Sequence, residues 1–147
     1  MTDPIAGPVA PSRSMIRPVL GLLAGLGVVV MIVGIGTIVA TLAMLRGVDP
    51  ANFRPTSGYL AVALAINALG SLAGGFATSR ITAGRSFYTV GLLSLLLFVS
   101  GAIPAFRHGP QPGEPAWYPL TLALLAPLGV LLGGAFERRR ARANTTA

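Results

Sequence analysis

Residues 18–45, PVLGLLAGLGVVVMIVGIGTIVATLAML, run for 28 positions without a charged side chain. A helix needs roughly 20 apolar residues to cross about 30 Å of hydrocarbon, so this stretch alone is long enough to span a bilayer. Three more uncharged stretches follow, at 59–78, 87–106 and 117–136. Backbone groups in lipid must be satisfied within their own segment, so each stretch predicts a helix. No stretch alternates apolar and polar residues as a transmembrane barrel strand does. The fold class is therefore all-α, an integral membrane four-helix bundle. Its parts are an arm at 1–17, a four-span domain at 18–136 and a basic tail at 137–147.

Composition agrees with that reading. Apolar residues make up 53% of the 147 and charged residues 10%, against roughly 25% charged in soluble domains. Such a chain is too hydrophobic to be disordered and, with no cysteine, cannot be a disulfide scaffold. Eleven basic residues, all arginine, oppose four acids to give a net charge of +7. Among soluble helices that surplus would point to nucleic acid. Here the arginines fall between apolar stretches, so no nucleic-acid partner is expected.

Their placement sets an orientation instead. Arg13 and Arg17 precede the first span, Arg80 and Arg85 join the second to the third, and Arg138, Arg139, Arg140 and Arg142 follow the fourth. With four spans these eight share one side, against Arg46, Arg54 and Arg107 on the other. Basic residues stay cytoplasmic, so both termini are expected inside. The first stretch is far longer than the 7–15-residue core of a signal peptide and lacks an Ala-x-Ala end, so it reads as a retained anchor. Its length of about 42 Å, at 1.5 Å per residue, predicts tilt or protrusion.

The connections fit the spans. Asp49-Pro50 and Arg54-Pro55 mark one external turn, and Pro110, Pro112 and Pro115 mark the other, because proline removes a donor and disfavours helix before it. Tyr59, Phe87, Tyr88, Trp117 and Tyr118 stand at span ends, where aromatic anchoring accounts for them.

A shift of 59 positions lays Tyr59, Leu69, Gly70, Leu72, Gly74 and Gly75 over Tyr118, Leu128, Gly129, Leu131, Gly133 and Gly134. The shared core is Leu-Gly-x-Leu-x-Gly-Gly. It reads either as a duplicated helical hairpin, with copies related by an axis along the membrane normal, or as chance among common residues. In the second span Ala63, Asn67, Ser71 and Gly75 lie four apart, beside Gly70 and Gly74. Residues four apart share a helix face, and small ones let backbones approach closely. Gly129 and Gly133, and Gly21 and Gly25, supply similar pairs. Packing within one chain is favoured over a dimer face.

Asn67 is the one carboxamide deep in a span. As interhelical glue it would pair with Thr37, Thr41, Ser94 or Ser100; as a ligand group it would need a cavity. Glue is favoured. Pro104 and Pro127 predict kinks or local loosening.

Catalytic constellations are missing. No ionisable residue lies mid-span, where coupled transporters place relays. One histidine, His108, and no cysteine leave nothing for a zinc or haem site, and no cofactor is expected. His108 with Glu114 forms a conceivable acid–base pair, though solvated loop residues are the favoured reading. The arginines at 138–142 are read as lipid and topology contacts. Each contributes about 1 kcal/mol near anionic headgroups.

Gly74-Gly75-x-x-x-x-Arg80 after the second span and Pro115-x-Trp117-Tyr118 before the fourth resemble a loose class of small, uncharacterised four-span bacterial inner-membrane proteins. The likeness covers about Ser57 to Arg140 and carries no activity with it. It implies a bacterial inner membrane, and the exclusive use of arginine, with abundant Ala, Gly and Pro, fits a GC-rich genome. The expected function is a non-enzymatic scaffold or accessory membrane subunit, partnered by lipid with anionic headgroups and by its own copies or a membrane complex. The alternative is a small oligomeric transporter or pore.

Overall fold

The computed structural model describes residues 13–45, 54–82, 87–110 and 114–144. Arg46, the Asp49-Pro50 turn, Arg85 and Pro112 lie outside the described residues. The apolar stretches form four helices, α1 (Arg13–Met44), α2 (Ser57–Ile81), α3 (Phe87–His108) and α4 (Tyr118–Ala143). Each is long and apolar enough to cross a membrane. Leucine, isoleucine and valine face outward from all four, with Met31, Leu42, Leu69 and Phe136 each more than 60% exposed. Soluble monomers rarely expose contiguous apolar patches beyond a few hundred Å². The four helices fit a multi-pass membrane protein.

Helix ends follow local chemistry. Thr56 caps α2 by accepting a hydrogen bond from the Tyr59 N–H at 3.3 Å, relieving one of the orphan donors of the first turn. At the other end Thr82 Oγ1 donates to the Thr78 carbonyl at 2.9 Å and the Ser79 carbonyl at 3.2 Å. α4 runs seven residues beyond the expected span and takes the arginine run into the helix. Glu137 to Ala143 contains neither glycine nor proline, and glutamate, arginine and alanine are strong helix formers. The basic tail is thus helical to Ala143. α3 and α4 continue through Pro104 and Pro127.

The helices pack in the order α1, α2, α4, α3, and α3 returns only lightly to α1. Among the described residues α1 and α4 do not approach each other. Leu93, Val90 and Val130 form a fully buried core, flanked by Leu22, Leu26, Leu97 and Leu131. That core lies toward the arginine-bearing ends, where Arg138 stacks 4.8 Å from the centre of the Phe87 ring. Toward the opposite ends α1 is tied to α2 by a 3.2 Å hydrogen bond between Thr41 Oγ1 and Tyr59 Oη.

The centre of the fold is the parallel crossing of α2 and α4. Gly75 lies against the Val130 carbonyl and Gly133 against the Leu72 carbonyl, so closely that a Cβ at either position would overlap the opposing backbone. A Cβ at Gly129 would sit 2.6 Å from that of Ser71. Gly75 and Gly133, Leu72 and Val130, and Ser71 and Gly129 are each 58 positions apart. The helices therefore cross about a local pseudo-two-fold one residue out of step with the 59-position motif alignment.

Hydroxyls bridge the remaining interface. Ser79 Oγ donates to the Gly134 carbonyl at 3.3 Å, and Ser94 Oγ to the Pro127 carbonyl at 3.2 Å. Ser94→Ala is expected to lower stability by about 0.5–1.5 kcal/mol, the worth of one such bond. Unfolding of the variant in mixed detergent micelles checks this.

Candidate functional site

α1 and α3 touch only lightly, and between them lies a cleft of about 650 Å³. That size falls within the range of ligand pockets, about 300–1,000 Å³. Val29 and Val33 of α1, Leu97 and Gly101 of α3, and Leu122 and Ala126 of α4 form its apolar walls. Its polar groups are few and separated. Asn67 stands midway along α2, Ser100 on α3, and His108, Glu114 and Tyr118 at the mouth.

Asn67 accepts a hydrogen bond from Ser71 Oγ at 3.4 Å, one turn along its own helix. Its amide nitrogen makes no hydrogen bond among the described residues. None of the four interhelical partners expected for it is bonded to it. Thr41 pairs with Tyr59, Ser94 with Pro127, and Ser100 bonds back to carbonyls of α3. Ser100 and Asn67 share the cleft without touching. The side chain is thereby a donor presented to the cleft.

The other residues singled out from the sequence separate onto two faces of α2. Gly70 packs on Val33 and Ile32 of α1, and Gly74 on Val29 and the Gly25 carbonyl. Ser71 and Gly75 turn instead to α4, where they meet Gly129 and Val130. Gly133 completes that crossing from the α4 side. Ser71 is fully buried. Ala63 is half-buried.

His108 is the last residue of α3 and not a loop residue. It opens onto the cleft with Glu114, which precedes α4. Of the terminal arginines, Arg138 covers Phe87, Arg140 borders a small polar pocket, and Arg139 and Arg142 are exposed.

Reasoning along the sequence missed the cleft. Ser100, Gly101 and Leu122 carry no local mark of it, because a cavity arises from how helices splay and not from their periodicity. Pro104, which lines it, was visible only as a helix irregularity. Comparison with known protein families, with curated proteins and with solved structures finds no match to this chain.

Proposed function

We propose that the chain is a non-enzymatic accessory subunit of a membrane complex, and that an apolar segment of its partner fills the cleft between α1 and α3. The observation that carries this is the unpaired Asn67 amide on an otherwise apolar wall. In hydrocarbon an unmatched polar donor is costly. A partner helix offering a hydroxyl, a carboxamide or a free carbonyl would satisfy it, as interhelical polar bonds do elsewhere. Exposure of α1 supports the same side, since 11% of its apolar window is buried against 28–33% in the other helices.

Gentle detergent extraction followed by purification of the native protein tests this. A stoichiometric membrane partner is expected. A lone monomer in both detergent and native nanodiscs sinks the idea.

The membrane would be a bacterial inner membrane, with both termini in the cytoplasm. Eight arginines at one set of helix ends against three at the other support the orientation. A reporter fused after Ala147 should be active in the cytoplasm, and activity confined to the outside would reverse the topology.

A second reading, an oligomeric transporter or pore, is favoured by the polar mouth of His108, Glu114 and Tyr118 above Asn67. Solute flux through reconstituted liposomes, reduced in Asn67→Leu, would favour it over the accessory role.

A further inference from the structure

At the arginine-bearing ends of α2 and α4 lies a second, smaller pocket of about 170 Å³, independent of the cleft. Arg80, in the last turn of α2, and Arg140 and Asn144, at the end of α4, form its polar rim, with Phe76 beneath. Glu137 also lines it. Glu137 Oε2 is buried without a hydrogen-bond partner, the one such side-chain atom among the described residues. Neither Arg80 nor Arg140 is paired with it. Buried polar groups are overwhelmingly satisfied in native proteins, so an orphan of this kind calls for an explanation.

We infer that this pocket is a seat for a phospholipid headgroup that carries a primary ammonium beside its phosphate. Two guanidiniums suit a phosphate, which accepts charge-assisted hydrogen bonds from arginine. A simple anion would bring its charge against the Glu137 carboxylate, and a simple cation would meet Arg80 and Arg140. A zwitterion satisfies both signs at once, with the ammonium against the Glu137 carboxylate and the phosphate lying between the arginines. Phosphoethanolamine has N–H groups to donate, whereas phosphocholine has none and phosphoglycerol lacks the positive charge. The level is right for a headgroup. Phe136 closes the apolar part of α4 directly before Glu137, and in α2 Arg80 follows Phe76 by about one helical turn. The inference rests on the multi-pass membrane reading and does not depend on the accessory role.

The experiment is lipid retention by native mass spectrometry of the full chain, with phosphatidylethanolamine, phosphatidylcholine and phosphatidylglycerol of matched acyl chains. Phosphatidylethanolamine should be retained about tenfold more tightly than either competitor, as expected for one charge-assisted hydrogen bond. Glu137→Gln should reduce that preference to the level of the other two lipids. Arg80→Ala and Arg140→Ala should weaken all three. Equal retention of the three lipids by the unaltered protein overturns the inference, as does a preference that survives in Glu137→Gln. The first comparison needs no variant, so it stands even if a substitution prevents folding.

Discussion

Gly75→Leu and Gly133→Leu should each abolish the folded bundle, and Gly75→Ala should cost about 1–3 kcal/mol, the usual range for overpacking a filled site. At both glycines an added Cβ would meet a backbone carbonyl of the opposing helix. A carbonyl cannot rotate aside as a side chain does, so the helices themselves must separate. Separation would strip the Ser79–Gly134 bond and the contact of Ser71 with Gly129 together. Gly27 provides the control, because nothing lies within 4 Å of a Cβ placed there. Gly27→Ala should be neutral or stabilising by up to about 1 kcal/mol, since glycine inside a helix is the less stable choice. Helix content followed during denaturant titration in mixed micelles measures all four variants. If Gly75→Ala and Gly27→Ala unfold alike, α2 and α4 do not cross as described.

The second large effect should fall on assembly while the fold is spared. Asn67→Leu removes one bond, to Ser71 in the same helix, so the isolated bundle should lose about 0.5–1.5 kcal/mol at most, the worth of one such bond. Partner retention should fall about tenfold, since an interhelical polar bond of about 1–2 kcal/mol would be lost. Asn67→Gln, which keeps the amide, should recover part of it. Copurification yield, read beside unfolding of the isolated chain, separates the two effects. If stability collapses in Asn67→Leu while the residual folded protein retains its partner, the side chain is internal glue and the proposed role is wrong.

These two sites show where sequence reasoning reached and where it stopped. The small residues of α2 were legible because Gly, Ser and Ala recur at helical spacing whatever lies opposite them. Which helix each row meets was not legible. Gly70 and Gly74 sit beside Ser71 and Gly75 in the sequence, yet the first pair faces α1 and the second α4. A rotation of about 100° per residue takes adjacent positions to different neighbours. Asn67 was conspicuous as a lone carboxamide. Its orientation to a cleft depends on the divergence of α1 and α3, which the order of residues around Asn67 does not reveal. Glu137 was legible only as the lead residue of a basic run. Its buried, unpaired oxygen exists because α4 stays helical past Phe136 and brings it alongside the end of α2.

Taken alone, the sequence determined the number of helices, their approximate limits and the asymmetry of charge between their ends. Those properties are local, set by runs of apolar residues and by the arginines between them. Tertiary structure alone decided the packing order, the one-residue offset at the α2–α4 crossing, the cleft and the headgroup-sized pocket. Each of these depends on which faces of separate helices meet, and van der Waals packing between small residues settles that only once the helices are side by side.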